Sequence, residues 1–409
     1  MFKKISRLKY FCGLDIGVSS IKVSLIKIQD EQNMDLLGVF ETKSHGFKDA
    51  SVSDLTELAD AISHAVTQLC TKYGVKVSTI QLGIGSECVH IRKSSAVIPL
   101  VDTGTKVISR SDIKKVDHQA KLLGPGIEEE IIHDFPLLYK VDDVTAAVNP
   151  LGLYGRKVES NLLLVLVNTN RLRNMVKAVH QAGFEVGAVS LSSFAASKVA
   201  IEDSFKNQGV ILVDIGSEMT SALFFSNGLL GDIQFIPWGG HYLTQSLSER
   251  LSLTMDLAED IKKTHAVASL QVSQERSGEI LIKREKDYLP IRREAVCEAV
   301  NWEIENLLTH LETVIQGSPL FHEINSGIVM VGGAALLPGL IERIEGRLKI
   351  PVSLGMTKGL NNAPLFASAI GLAQLGYLKN LKETVDLKTP IEFKDRFIDR
   401  MRELCQEYF

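Results

Sequence analysis

The chain has little with which to cross-link itself. Its 409 residues hold five cysteines, Cys12, Cys70, Cys88, Cys297 and Cys405, odd in number and scattered, with no Cys-x-x-Cys pair. That excludes a disulfide framework and a cysteine zinc site, and it predicts reduced thiols in a cytosolic protein. No one sign of charge dominates: 45 Lys and Arg face 49 Asp and Glu, for a net charge of −4. General nucleic-acid binding is therefore not expected. No apolar run reaches the length of a membrane span. The basic start, residues 1–9, is not followed by a long apolar stretch, because Asp15 interrupts the strand after it, so no signal peptide is expected. The ten histidines show no metal spacing, and neither His-Glu-x-x-His nor Gly-x-Ser-x-Gly occurs. His310 and His322 read as surface or capping residues, and Trp302 as packing. What remains is an ordinary globular composition, 45% hydrophobic and 23% charged, with room for two to four domains.

Two similar segments stand out against this background. The first is Cys12-Gly13-Leu14-Asp15-Ile16-Gly17-Val18-Ser19-Ser20-Ile21-Lys22-Val23; the second is Leu212-Val213-Asp214-Ile215-Gly216-Ser217-Glu218-Met219-Thr220-Ser221. Each reads as a buried strand, Asp-Ile-Gly, a turn, and a second apolar strand. The tip of such a hairpin can approach phosphates through backbone N–H groups, while its aspartate holds a hydrated Mg²⁺. A third element, Ile328-Val329-Met330-Val331-Gly332-Gly333-Ala334, runs a buried strand into paired glycines, which let backbone come close to a flat ligand such as a nucleoside. A duplicated α/β fold closing on a nucleotide is expected.

The rest of the chain divides around these segments. A helix is predicted over 54–72, with Leu55, Leu58, Ile62, Val66 and Leu69 on one face, capped by Ser53 or Asp54. A strand over 77–85 ends in Gly83-Ile84-Gly85. Short strands and one helix over 86–166 form an inserted small α/β subdomain. The first half is expected over 1–85 and 167–205. The second covers 206–356, with a smaller subdomain near 245–325. A closing helix is read over 357–378, a linker over 379–390, and a separate tail over 391–409.

The order of hairpin loop, insertion, second loop and Gly-Gly loop resembles the actin-like ATPase superfamily. Within it the chain is most similar to the bacterial cell-division family FtsA. Asn149-Pro150-Leu151-Gly152-Leu153-Tyr154-Gly155-Arg156-Lys157-Val158, Pro237-Trp238-Gly239-Gly240-His241-Tyr242-Leu243-Thr244, Ala258-Glu259-Asp260-Ile261-Lys262 and Val331-Gly332-Gly333-Ala334-Ala335-Leu336-Leu337-Pro338-Gly339 carry that resemblance. It implies an actin-like fold whose cleft binds ATP through Asp15, Gly17, Ser19, Ser20, Lys22, Asp214, Gly216, Thr220, Gly239, Gly240, Glu259, Lys262, Gly332 and Gly333. Mg²⁺ would be held through water by Asp15 and Asp214. It also implies head-to-tail self-assembly and partners that include the C-terminal peptide of the tubulin-like protein FtsZ, bound by the region 245–325, other division proteins and membrane lipids. The expected place is the cytoplasmic face of the membrane at the division site. The first loop also resembles PilM, an actin-fold scaffold of type IV pilus assemblies, and that role is the alternative.

Two features bear on activity. The second loop departs from the family's Asp-Ile-Gly-Gly-Gly-Thr-Thr-Asp by carrying Ser217, Glu218 and Met219. Side chains stand where backbone would meet phosphate, so at most slow ATP hydrolysis is expected and no catalytic residue is assigned. In the tail, Phe393, Phe397, Ile398, Met401, Leu404, Cys405, Tyr408 and Phe409 fall within an arc of roughly 160° on a helical wheel, with charged residues opposite. That pattern suits a helix lying in a bilayer interface, and the resemblance implies a membrane-targeting helix at this position.

Overall fold

The computed structural model describes residues 10–29, 34–268, 279–284, 287–356, 360 and 363–386. The tail, with Phe393, Phe397, Ile398, Met401, Leu404, Tyr408 and Phe409, lies outside the described residues.

The first half opens with three antiparallel strands, β1 (Tyr10–Ile16), β2 (Ser20–Ile28) and β3 (Met34–Lys43), followed by the short pair β4 (Phe47–Lys48) and β5 (Ser51–Val52). Helix α1 (Leu55–Tyr73) starts where Asp54 accepts hydrogen bonds from the backbone N–H groups of Thr56 and Glu57, and it stops at Gly74 in the left-handed region. Strand β6 (Thr79–Ile84) then lies parallel to β1.

The insertion comprises β7 (Val89–Pro99), β8 (Lys106–Val107), α2 (Arg110–Leu123), β9 (Glu129–Val141), β10 (Thr145–Ala147), β11 (Tyr154–Gly155) and β12 (Lys157–Asn168). Its main sheet has the order β10-β9-β12-β7. The run Leu162-Leu163-Leu164-Val165-Leu166-Val167 in β12 is buried throughout. Leu162, Leu164 and Leu166 join Val116 and Ala120 of α2, while Leu163, Val165 and Val167 join the core of the first half. A continuous apolar strand is what burial on both faces requires.

The chain returns to the first half through α3 (Thr169–Gln181), β13 (Glu185–Leu191), α4 (Ser192–Ala200) and α5 (Asp203–Gln208). The second half then repeats the pattern: β14 (Val210–Ile215), β15 (Thr220–Ser226), β16 (Leu229–Ile236), α6 (Gly240–Leu251), α7 (Met255–His265), the hairpin β17 (Glu279–Arg284) and β18 (Asp287–Arg292), α8 (Arg293–Gly317), β19 (Ile328–Val331), α9 (Leu340–Leu348) and β20 (Val352–Leu354). The sheets read β3-β2-β1-β6-β13 and β16-β15-β14-β19-β20, three antiparallel strands continued by parallel ones in each. The duplication expected from the two Asp-Ile-Gly segments is thus a duplication of topology.

Helix α10 (Ala363–Asp386) goes back to the first half and packs on β1 and α4. It runs past the end expected for it, so the stretch 379–386, read as linker, is helix. Those residues are polar but contain neither Gly nor Pro, and Lys379 donates to the carbonyl of Gly187 at 2.8 Å. Close approach depends on Gly371, where a Cβ would stand 1.8 Å from the carbonyl oxygen of Ala195. A helical Gly→Ala change in open space stabilises by about 1 kcal/mol, and Gly346 on α9, with nothing near its missing Cβ, is such a place. Gly371→Ala should instead destabilise by about 1–3 kcal/mol or more. Denaturant midpoints shifting in opposite directions for the two variants would confirm the packing; two similar gains would refute it.

Trp302, read as packing, is 59% exposed and stacks its ring against the Arg250 guanidinium at 5.1 Å. The buried stripe of α8 is formed by Val300, Ile304, Leu307, Leu308 and Leu311, which leaves Trp302 on the outer face.

Candidate functional site

Both Asp-Ile-Gly segments end their strands in the same way. Asp15 pairs with Lys22 and Asp214 with Ser221, one position before the turn. In each turn the glycine N–H donates back across the tip, Gly17 to Ser20 at 3.1 Å and Gly216 to Met219 at 3.0 Å. Beside each aspartate lies the end of a parallel strand, Gly83 next to Asp15 and Val331 next to Asp214. The chain then passes through Gly85 in one half and Gly332-Gly333 in the other. Gly332 has a φ of +90°, and a Cβ there would meet the Asp214 carboxylate and the Ile215 carbonyl. No larger residue fits that turn.

The two tips enclose a small chamber of about 90 Å³, lined by Asp15, Gly17, Ser19, Ser20, Lys22, Asp214, Gly216, Gly332 and Gly333. Asp15 is 9% exposed and accepts a 2.6 Å hydrogen bond from Ser192 Oγ. Burial, reinforced by the charge of Asp15 and only partly opposed by Lys22, pushes the Asp214 carboxyl up to about 7. Two carboxylates facing one small polar chamber could hold a hard cation between them. Among the described residues no three His, Cys, Asp or Glu side chains close around a point where an ion could sit. Asp15 and Asp214 are the pair that would hold a hydrated ion through water.

A larger cavity of about 430 Å³ adjoins the chamber and shares Ser19, Ser20, Lys22, Gly216, Ser217 and Gly333 with it. Its far wall is apolar, with Leu243, Leu336, Leu337 and Pro338, and its floor carries Gly240, Glu259 and Lys262. Lys262 Nζ donates to Glu259 at 2.6 Å, to Thr244 Oγ1 at 2.9 Å and to the Gly240 carbonyl at 3.0 Å. Burial opposes the charge on Glu259, but the bonds from Lys262 and Thr244 outweigh it and hold its pKa low. A polar, phosphate-sized chamber opening into a roomier apolar cavity with an anchored carboxylate has the shape of a nucleotide site.

Twelve of the fourteen expected nucleotide-binding residues line one cavity or the other. Thr220 does not: it is fully buried and its hydroxyl donates to the Trp238 carbonyl at 2.7 Å. Gly239 lies beneath the second loop, where a Cβ would press on Ser217. In that loop Ser217 and Met219 line the chamber, while Glu218 is half-buried and acts through its charge on Glu87. Glu87, Ser192 and Ser193, which no sequence motif singles out, also line the chamber. Burial first, and then the charges of Asp15, Glu218 and Asp214, push the Glu87 carboxyl up to about 7 against the pull of its own backbone N–H. The available signal was the Gly83-Ile84-Gly85 strand end just before it.

The family model "Cell division protein FtsA" matches residues 211–371, and the model "SHS2 domain inserted in FTSA" matches residues 87–166. Among relatives, the cell division protein FtsA of Streptococcus pneumoniae is 27% identical over 90% of this chain and 80% of its own length. That of Escherichia coli is 23% identical over 95% of each. Among solved structures, a PilM–PilN type IV pilus biogenesis complex superposes with a TM-score of 0.64 at 16% identity, covering 91% of this chain and 99% of that one. MreB5 of Spiroplasma citri bound to ADP gives 0.55 at 13% identity, covering 93% and 99%.

Proposed function

We propose that this chain, similar to FtsA proteins over most of its length and to actin-like ATPases in fold, is a division adaptor. It binds ATP with Mg²⁺ between its halves, assembles head to tail, and tethers FtsZ filaments to the inner face of the cytoplasmic membrane at the division site. The observation that carries this is the pair of FtsA-specific matches, one of them on the insertion itself. In the cleft, Lys22 and the tips around Gly17 and Gly216 would meet the phosphates, and Asp15 and Asp214 would hold the hydrated Mg²⁺, which neutralises phosphate charge when bound. Glu259 and Lys262 would face the nucleoside. A head-to-tail contact whose rotation does not close into a ring yields filaments. Arg250 and Trp302, side by side on the outer faces of α6 and α8, offer a cation and an exposed aromatic ring to the acidic and apolar side chains of a peptide partner.

The first loop's likeness to PilM supports a second reading, a scaffold of a pilus assembly. Location separates the two. A fluorescent fusion should form a band at mid-cell in dividing cells; foci at the poles or at pilus bases would favour the scaffold and sink the adaptor.

A further inference from the structure

Glu87 follows β6 in a tight turn, and its carboxylate folds back over Gly85, where a Cβ would stand 2.4 Å from both of its oxygens. It lines the small chamber from the first half, in company with Ser192 and Ser193. The two serines differ. Ser192 Oγ is committed to Asp15, whereas Ser193, only 2% exposed, has a hydroxyl with no hydrogen-bond partner. A buried hydroxyl in a polar chamber calls for a partner that the protein itself does not supply. In its ionised form the Glu87 carboxylate only accepts hydrogen bonds, so whatever then sits against it must donate. A phosphate oxygen cannot do that, and a water can. The cation of the same chamber, Lys22, faces the opposite need and suits the phosphate.

We propose that Glu87 and Ser193 hold the water that attacks the terminal phosphate of the bound nucleotide, with the Glu87 carboxylate orienting it and taking its proton. This rests on the reading of the cleft as an ATP site. The water oxygen forms a bond to the terminal phosphorus, and the bond from that phosphorus to the bridging oxygen breaks. The electron pair leaves with ADP, and the proton passes through Glu87 to solvent. Products are ADP and inorganic phosphate. In phosphoryl transfer the protein's task is chiefly to position groups and stabilise charge, and a residue that orients the nucleophile is one of its recurring parts. The chain is then a slow hydrolase, with the side chains of Ser217 and Met219 also lining the chamber.

The test uses the full chain with ATP and Mg²⁺, reading ADP formation in a single turnover and ATP affinity by calorimetry. Glu87→Gln keeps the shape and loses the acceptor charge. It should bind ATP as the wild type does and form ADP roughly 100-fold more slowly. Ser193→Ala should show a smaller loss, also at unchanged affinity, which a merely structural role would not produce. If thermal melts show Glu87→Gln to be unfolded, Ser193→Ala decides the matter by the same two readouts. Wild-type chain that binds ATP but forms no ADP overturns the inference, as does a Glu87→Gln variant of undiminished rate. Failure of the wild type to bind ATP overturns the reading beneath it, and the inference with it.

Discussion

Phe397→Glu and Met401→Glu should each release the protein from lipid vesicles while leaving its folded body intact, and deletion of 391–409 should do the same. On a helical wheel of the tail sequence, Phe397, Met401, Leu404 and Tyr408 fall at the centre of the apolar arc. Each large side chain contributes about 1.5–3 kcal/mol at full burial, and less in an interface. Charge gives little help. Lys394, Arg396, Arg400 and Arg402 are balanced by Asp395, Asp399, Glu403 and Glu407, so attraction to anionic lipid would be weak and affinity would have to come from aromatic burial. Flotation with vesicles, run beside a thermal melt, reads both properties. A deletion variant that floats as well as the full chain removes the anchor. A deletion variant that melts much earlier assigns the tail to the protein core instead. The same vesicles report assembly: with ATP present, a strictly monomeric species on lipid would count against head-to-tail filaments.

The second large effect is a dependence of stability on pH set at Asp214. Its pKa is raised from the ordinary 3.8 to about 7 in the folded chain, by burial first and then by Asp15. The folded form therefore holds the proton more tightly than the unfolded form. Stability from this group is complete below pH 3.8 and is lost as pH climbs through about 7. Without Mg²⁺ or nucleotide, the melting temperature should fall between about pH 4 and pH 7, by an amount equivalent to a few kcal/mol, and level off above that. Glu87 adds to the same trend. Asp214→Asn cannot ionise, so it should melt higher than the wild type near pH 8 and show a flatter profile, while losing most of its affinity for Mg·ATP. An Asn variant with the wild-type slope would show that the carboxylate is not under this strain.

How far the sequence could be read depended on whether a feature had a period or a partner. Asp15-Ile16-Gly17 and Asp214-Ile215-Gly216 are informative because they occur twice, and the repeated sheet order bears out what the pair implied. The Gly332-Gly333 turn was legible because a left-handed backbone beside a strand end leaves few choices of residue. Glu87 was not legible: one carboxylate in a three-residue turn has no periodicity, and only the fold brings it to Asp15 and Ser193. Thr220 looked like its fellow hydroxyls, yet strand alternation turns it toward the Trp238 carbonyl. The end of α10 was placed too early because polarity suggested a linker where helix propensity persists. Trp302 was read by residue type alone, and the phase of α8 puts it outside.

The position of α10 also has a bearing on how the chain is made. Ser24 of β2 donates to the carbonyl of Ala369 at 2.8 Å across a sequence separation of 345, and the same helix presses on β1. As the protein emerges from the ribosome, the first sheet is complete long before the helix that covers this face exists. Domains generally fold as units in the order of synthesis, but here the earliest strands must wait for nearly the last helix. Until then Phe11 and Ile26, which bury against Ala373 in the finished chain, lie open. The nascent first half is thus the stage of synthesis at which a chaperone has most to cover.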